Sequence, residues 1–272
     1  MLKTENYKEQ ILEMYKRGVK PQDIAKNLGF SYWQPVYNLL KKEGVFIPKT
    51  TEYKKKYTLD ENFFQEINTE EKAYILGFVC ADGHIGKDRL TISLSIKDIN
   101  VLKKIKTCLN SNVPIKHTSR RNPYSKGKPI CEMVTVQFSS VKLVAPLFHA
   151  GLKSDKTYNL NSSILKIVPE KLISCFLRGY FDGDGNVMFG KRYTSGYKYN
   201  INICGNEEFL INTYQKYFPT TNKLYFEKKS KQMCVWKITS KQKVSDFLVY
   251  LYKDAKIYLE RKYNVYKQNM LM

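Results

Sequence analysis

Two short stretches, ILGFVCADG at residues 75–83 and LRGYFDGDG at residues 177–185, decide how this chain folds. Each is an apolar run that ends in Asp-Gly, a pattern that predicts a buried helix ending at an acidic residue. Small residues recur at every fourth position of both predicted helices, namely Ala73, Gly77 and Ala81, and Cys175, Gly179 and Gly183. This spacing predicts that the two helices pack backbone to backbone, with their C-terminal ends side by side.

The acidic residues at these two ends, Asp82 and Asp184, are therefore predicted to lie close together. The C-terminal end of a helix carries a partial negative charge. Two neighbouring carboxylates in that position repel each other, which raises a carboxyl pKa unless a cation is bound. Mg²⁺ binds through a small number of carboxylates and takes water or phosphate oxygens as its other ligands. Asp82 and Asp184 are thus the candidate metal ligands.

The charge of the chain predicts a polyanionic partner. Among 272 residues there are 46 Lys and Arg against 25 Asp and Glu, which gives a formal net charge of +21. Such a charge predicts binding that weakens steeply with salt, but it does not distinguish DNA from RNA. A basic surface without a nucleic-acid partner is the alternative.

The sequence gives no indication of a membrane or secreted protein. It has no apolar stretch of the ~18 residues that a spanning helix needs, and MLKTENYKEQ at the N-terminus lacks the apolar core of a signal peptide. We therefore predict a cytoplasmic protein without a membrane partner. The cysteines form no Cys-x-x-Cys pair, which disfavours a zinc site and a disulfide framework.

Residues 1–44 predict a small all-α domain, and residues 45–67 predict a linker. The segment GVKPQDIAKNLGFSYWQPVYNLLKKEG resembles a resolvase-type helix-turn-helix, with a third helix predicted from Ser31 to Lys42. In that motif the N-terminal residues of the second helix of the pair contact bases in the major groove. The corresponding residues here are Ser31, Tyr32, Trp33, Gln34, Tyr37 and Asn38. A three-helix packing module without a DNA-binding role is the alternative.

Residues 68–166 and 167–272 read as a duplication, since MVTVQFSSVKLVAPLF at 133–148 aligns with MCVWKITSKQKVSDFL at 233–248 without a gap. Each copy predicts the order αββαββα, so the fold class is α+β, with two pseudo-symmetric repeats and the N-terminal all-α domain. Apolar and polar residues alternate along the strands, which predicts antiparallel sheets with one polar face. Polar side chains of this kind can read base edges. The predicted DNA-binding residues on these faces are Thr91, Ser93, Ser95, Thr135, Gln137, Asn200, Asn202, Lys237 and Thr239.

Taken together, the two motifs and the duplication resemble the LAGLIDADG homing-endonuclease family. The first motif matches the family pattern at Gly77, Ala81, Asp82 and Gly83. The second matches it at Leu177, Gly179, Asp182, Asp184 and Gly185. The first motif departs from the second in having Cys80 where the second has Asp182. This departure matters little if that position is not a metal ligand.

The resemblance implies that Asp82 and Asp184 bind Mg²⁺ or Mn²⁺ and that the chain hydrolyses both strands of a DNA duplex. It gives Asp182 a structural or supporting role. Two repeats in one chain replace a homodimer, so a monomer acting on a long asymmetric double-stranded site is expected. The gene of such an enzyme often lies within an intron.

The family also places one basic residue near each metal. In the first repeat this residue is expected to be Lys156, with Lys153 as a weaker choice. In the second repeat, the pattern YLERKYN favours Lys262, whereas the gapless alignment favours Lys256 as a rival.

Other functions remain open at this point. A transcription regulator or an intron maturase of the same fold would bind nucleic acid without cleaving it, although the retention of both acids favours catalysis. The stretch DGDGN also resembles the start of a calcium-binding loop, but Val187 stands where an EF-hand needs Gly and Tyr193 where it needs Glu. The two acids are, in a further alternative, helix-terminal turn formers without a ligand role.

Overall fold

A computed structural model of the protein describes residues 4–17, 19–45, 56–121, 130–152, 156–191, 197–219, 224–227 and 230–270. Contacts divide the chain into two compact units, Met1–Lys56 and Tyr57–Met272. No helix among these residues is long and apolar enough to cross a membrane.

The first unit is a small bundle of three helices. After a 3₁₀ turn at Thr4–Tyr7, its helices are α1 (Lys8–Lys16), α2 (Pro21–Asn27) and α3 (Gln34–Lys42). Its core is formed by apolar residues from all three helices, namely Ile11, Ile24, Ala25, Val36, Leu39 and Leu40. At the end of α2, Gly29 adopts a φ of +74°, a conformation that glycine reaches without steric cost.

Helix α3 begins at Gln34 and not at the predicted Ser31. A helix that started at Ser31 would place Pro35 beyond its first turn, where the proline ring meets the carbonyl of the preceding turn and has no N–H to donate. With Gln34 as the first helical residue, Pro35 lies in the first turn and this conflict disappears.

The second unit contains both repeats. The first repeat consists of α4 (Glu70–Asp82), β1 (Gly83–Gly86), β2 (Arg89–Ser95), α5 (Ile99–Cys108), β3 (Lys116–Arg121), β4 (Ile130–Ser139) and α6 (Val141–His149). A short helix, α7 (Lys156–Asn159), precedes the second repeat. The second repeat consists of α8 (Ile173–Asp184), β5 (Gly185–Lys191), β6 (Tyr197–Asn206), α9 (Glu207–Leu210) with a π-helical turn at Ile211–Gln215, β7 (Tyr225–Glu227), β8 (Ser230–Ile238), α10 (Lys241–Tyr252) and α11 (Glu260–Met270). The predicted αββαββα order and the α+β class are confirmed.

Each repeat builds its own four-stranded antiparallel sheet. The strand orders are β1-β2-β4-β3 and β5-β6-β8-β7, so the two sheets have the same topology. The alternating apolar residues are buried as predicted, and Ile92 lies opposite Val136 in the register of β2 and β4. The apolar alternation of β2 continues in the sequence to Ile96, but this residue starts a 3₁₀ turn, Ile96–Asp98, and is partly buried.

The segment predicted as a linker is in part a piece of the core. Phe63, Phe64 and Ile67 are buried against the helices and sheets of the second unit. The backbone N–H of Asp60 also donates to the carbonyl of Leu109 at 2.8 Å. Residues 57–67 thus belong to the second unit, because their apolar side chains are buried in its core. These apolar residues follow neither a helical nor a strand period, so the sequence pattern predicted a linker. Residues 46–55 of the predicted linker lie outside the described residues.

Candidate metal centre and nucleic-acid interface

Helices α4 and α8 touch through their backbones. A Cβ added to Gly77 would collide with the carbonyl oxygen of Phe176 and would lie 2.9 Å from the backbone nitrogen of Tyr180. A Cβ added to Gly179 would collide with the carbonyl oxygen of Tyr74 in the same way. The small residues predicted from the sequence are therefore what allows the two helices to approach this closely.

This packing brings the two acidic helix ends together. Asp82 is the last residue of α4 and Asp184 is the last residue of α8. A Cβ added to Gly183, next to Asp184, would lie 3.2 Å from Oδ2 of Asp82, so the Asp82 carboxylate lies against the end of α8. The structure thus places both predicted metal ligands at one end of the helix pair.

The surroundings of the two carboxylates disfavour their charged forms. Both side chains reach solvent, but the helix ends around them restrict hydration, and this desolvation together with the charge of Asp184 raises the pKa of Asp82 to about 6. Desolvation also raises the pKa of Asp184, while Lys156 and a hydrogen bond from Tyr180 act in the opposite direction. A divalent cation between the two would relieve the repulsion and restore the ionised state.

The donor set at this position fits a hard divalent cation. Over the part of the chain that the structure describes, no cluster of three or more His, Cys, Asp or Glu side chains forms a ready-made metal cage. A cation at the helix ends would draw on the two carboxylates and take its other ligands from water or substrate, which is the pattern of Mg²⁺ and not of structural zinc.

The two lysines predicted from the family resemblance lie at the same helix ends. The Nζ of Lys156, on α7, donates to the carbonyl of Cys80 at 2.7 Å and to the carbonyl of Ala81. These are carbonyls of the last turn of α4, whose partial negative charge favours a cation there. Burial lowers the pKa of Lys156. The alternative Lys153 lies outside the described residues.

Lys262 occupies the corresponding position at the end of α8. It is 1% exposed, and its Nζ donates to the carbonyl of Asp182 at 2.9 Å and also to the carbonyls of Phe181 and Gly185. Burial lowers the pKa of its ammonium group to about 8. The rival Lys256 has an exposed side chain and contacts Glu70 through its backbone N–H at 2.7 Å. Of the two candidates, the structure brings Lys262 to the helix ends.

Asp182 lies in the core behind this site. Its carboxylate accepts hydrogen bonds from the hydroxyl of Tyr74 at 2.8 Å, from the backbone N–H of Leu259 at 2.7 Å and from the hydroxyl of Tyr252. Desolvation raises its pKa, and Lys262 and the three donors oppose that rise. The sequence placed Asp182 in the motif but gave no indication of these partners, which come from distant parts of the chain.

Arg178 is another buried polar residue of the second motif, and the sequence analysis did not identify it. Its guanidinium donates to the carbonyls of Ile257 at 3.0 Å and Leu251 at 2.8 Å, and to Oε1 of Glu70 at 2.6 Å. It therefore connects α8 to the start of α4, to the last turn of α10 and to the segment that follows α10. An arginine inside an otherwise apolar motif was the signal that could have identified it, since arginines are seldom buried without partners.

The polar faces of the two sheets hold most of the predicted base-contacting residues. Exposed or half-buried positions are found for Thr91, Ser93, Ser95, Thr135, Gln137, Asn202, Lys237 and Thr239. Asn200 is the exception, because it is only 6% exposed on a central strand, opposite Met188, and its Oδ1 has no hydrogen-bond partner. Asn200 thus lies on the same strand face as Asn202 but is covered there, and its contact with DNA stays a prediction.

One aromatic residue beside this surface was not predicted from the sequence. The exposed ring of Tyr225, on strand β7, lies 5.7 Å from the Nζ of Lys237. Aromatic rings and lysines together are groups that bind bases and phosphates.

In the first unit, the predicted DNA-binding residues surround the start of α3. Tyr32 is 74% exposed and Trp33 is 39% exposed, while Ser31, Gln34 and Asn38 are also exposed. Trp33 packs edge to face on the half-buried Tyr37, with 5.6 Å between the ring centroids. Their role in DNA binding stays a prediction.

Comparison with known proteins gives a family-model match in the first repeat and solved structures of similar fold. Residues 69–144 match the family model described as a LAGLIDADG-like domain. The structure of the I-LtrWI LAGLIDADG homing endonuclease bound to target DNA aligns with a TM-score of 0.50 and 14% identity, over 74% of this chain and 89% of that one. That of the LAGLIDADG meganuclease I-AabMI bound to uncleaved DNA aligns with a TM-score of 0.47 and 14% identity, over 73% and 88% of the chains. No curated protein sequence matches the chain.

Proposed function

We propose that this chain, whose residues 69–144 are a LAGLIDADG-like domain and whose repeats have the fold of a homing endonuclease, is itself a site-specific DNA endonuclease. The proposed reaction is hydrolysis of phosphodiester bonds in a long, asymmetric double-stranded target with Mg²⁺ or Mn²⁺. The observation that carries the proposal is the pair of carboxylates, Asp82 and Asp184, at adjoining helix ends, each with a buried or half-buried lysine beside it.

In this proposal Asp82 and Asp184 hold the divalent cation. When bound, the cation supplies positive charge that polarises a phosphate and lowers the pKa of water. Lys156 and Lys262 are cations held close to the same point, so they stabilise the negative charge that develops on the phosphate. Burial lowers the pKa of Lys262 to about 8, so the positive charge that it supplies at the helix end decreases as pH rises above that value.

Double-stranded DNA is the proposed partner. The net charge of +21 attracts a polyanion, and the polar strand faces carry groups that match the hydrogen-bonding pattern of base edges in the major groove. Two different repeats in one chain supply two different faces, so a monomer on a non-palindromic site is the expected complex. The first unit would add contacts at one flank of this site.

The first test is cleavage of a plasmid that carries the uninterrupted version of the gene's own insertion locus. The purified protein is incubated with this plasmid in Mg²⁺, in Mn²⁺ and in Ca²⁺. Metal-dependent linearisation at one position is the expected result. Asp82→Asn and Asp184→Asn should abolish it while DNA binding in Ca²⁺ persists.

Asp246→Asn is the matched control, since it makes the same change at an exposed carboxylate on α10 that bonds only to Gln242 in the described contacts. This variant should cut like the wild type. Binding by the wild type without any cut or nick in any of the three metals would overturn the proposal and leave a non-cleaving regulator or maturase as the better reading.

A further inference from the structure

The lysines at the two helix ends are held in place by different means. Leu259 lies three residues before Lys262, and its backbone N–H donates to the carboxylate of Asp182 at 2.7 Å. Asp182 is 1% exposed, and the hydroxyls of Tyr74 and Tyr252 fix it from two other directions. Hydrogen bonds to a buried charged acceptor are among the strongest in proteins and are costly to lose.

Apart from the bonds that the Nζ of Lys262 itself donates to carbonyls at the end of α8, the other polar side-chain contacts of this segment lie at the surface. Arg261 pairs with Asp98 of the first repeat at 3.2 Å, and the amide of Asn100 donates to Glu260 at 2.9 Å. Exposed pairs of this kind contribute little because water and salt screen them. Among the described contacts of residues 259–262, Asp182 is thus the buried side chain that holds the backbone of this segment.

Among the residues of the first repeat that the structure describes, no buried carboxylate takes the place of Asp182. The motif position of Asp182 is taken by Cys80, whose thiol is buried. The chain after Lys156 is fixed instead by Asn206, which donates to the carbonyl of Leu160, and by Glu208, which accepts from the backbone N–H of Ser162 at 2.9 Å. Among the described residues around Lys156, no fully buried carboxylate takes part in its support.

We propose that Asp182 is a positioning residue that holds Lys262 at the end of α8 by fixing the backbone of Leu259. The centre in the second repeat consequently depends on a buried anchor that the centre in the first repeat lacks. This inference rests on the proposed endonuclease function. Its consequence is that loss of the Asp182 carboxylate slows the cleavage of one DNA strand and leaves the other strand nearly unaffected.

The test follows the two strands separately, on a target labelled differently at each 5′ end. Lys262→Met and Lys156→Met first show which strand depends more strongly on which lysine. Asp182→Ala should then slow the Lys262-dependent strand by about tenfold or more, as expected when a hydrogen bond that positions a reacting group is lost. The other strand should change by less than about threefold. Asp182→Asn keeps an oxygen that can accept from Leu259, so it should recover most of the lost rate.

A control separates positioning from stability. Thr213 is also fully buried in the second repeat, and its hydroxyl donates to the carbonyl of Phe209. Thr213→Val should lower the melting temperature without changing the ratio of the two strand rates. Equal slowing of both strands by Asp182→Ala would overturn the proposal, because it would show that Asp182 acts only through overall stability.

A measurement that does not require cleavage tests the same inference. In the metal-free full-length protein, the Lys262 amine should react slowly with an amine-labelling reagent because it is buried and donates three hydrogen bonds. Asp182→Ala should raise this labelling rate several-fold, with Lys156 unchanged. An unchanged Lys262 rate would overturn the positioning role even if the wild type cuts DNA. Conversely, faster labelling in a protein that never cuts would support the positioning role while the proposed function fails.

Asp182→Cys, which copies the first repeat, replaces the alanine variant if that one does not fold.

Discussion

At the scale of single residues, the metal-binding role proposed for the carboxylates that end the two central helices comes at the expense of stability. Desolvation raises the pKa values of Asp82 and Asp184, and the charge of Asp184 adds to the rise at Asp82, so their ionised forms destabilise the metal-free protein near neutral pH. Asp82→Asn should therefore raise the melting temperature in EDTA at pH 7.5 by about 1–3 °C, the size expected for less than 1 kcal/mol. Differential scanning fluorimetry measures this, with Asp246→Asn as the control that should not change. A clear decrease for Asp82→Asn would show that the ionised carboxylate is stabilising.

The pKa of Asp82 also predicts how pH affects the binding of metal. Its folded value of about 6 lies above the usual value of 3.8, so the folded chain holds this proton more tightly than the unfolded chain. Its contribution to the unfolding free energy is therefore largest below pH 4 and is lost as pH rises to about 6. Protons compete with metal over the same range, so affinity for Ca²⁺ should fall below pH 6 by up to about tenfold per unit. Calorimetric titrations from pH 5 to 8 test this, and an affinity independent of pH would exclude Asp82 as a ligand.

At the scale of elements, the contact between α4 and α8 should tolerate no side chain at its two glycines. Gly77→Ala and Gly179→Ala each place a methyl group on a carbonyl oxygen of the facing helix, and relief requires that the helices move apart. We expect each to cost about 3 kcal/mol or more, as for severe overpacking. Urea unfolding measures the loss. In the control Gly86→Ala, the nearest atom is the flexible Arg89 side chain at 3.2 Å, so a cost similar to that of Gly77→Ala would contradict this explanation.

The elements that could be predicted from the sequence are those that depend on local pattern. Alternation identified β2, and the hundred-residue correspondence is visible in Ser140 and Ser240, which precede α6 and α10. Burial could not be predicted where it depends on residues distant in sequence. Examples are Phe63 and Phe64, which are buried although their segment was predicted to be a linker, and Asn200, which is covered on its strand face.

The same distinction applies to the site. Asp82 and Asp184 could be predicted because each motif contains its own acid at a helix end. The choice between Lys256 and Lys262 could not be settled from spacing, since it depends on how the segment after α10 returns to α8. The bond from Tyr74 to Asp182 likewise joins residues 108 positions apart.

At the scale of the whole molecule, the net charge of +21 should dominate affinity for DNA. Each phosphate contact releases counterions, so log K should fall linearly with log salt concentration. Between ~50 and ~200 mM salt we expect a loss of roughly 10³-fold or more, as for a protein with six or more phosphate contacts. Fluorescence anisotropy in Ca²⁺ on specific and random duplexes measures both slopes. A slope near zero would mean that the basic surface is not a DNA surface.

The compact unit Met1–Lys56 should contribute to affinity but not to the chemistry. Replacing both exposed aromatics, Tyr32→Ala with Trp33→Ala, should weaken binding and shorten the protected region at one flank of the target. Cleavage at saturating protein should stay within about twofold, because these residues belong to a different unit from the carboxylates. Footprinting and single-turnover kinetics test the two parts, and an unchanged footprint would favour a packing module without a DNA role.

In the described part of the chain the two four-stranded sheets share no strand, and the repeats approach each other most closely along the line of glycines and small residues on α4 and α8. The close approach of the helices therefore restricts the side-chain size at a few positions of α4 and α8, whereas the exposed residues of each sheet can be substituted without affecting this contact. Under the proposed endonuclease function, substitutions on one sheet surface should change the preference for one half of the target and leave the other half unaltered. Grafting one repeat onto a related protein should require that the line of small residues is kept. Under the proposed function, the two halves of the target can then change one at a time, so that a chain acquires a new insertion site without losing its fold.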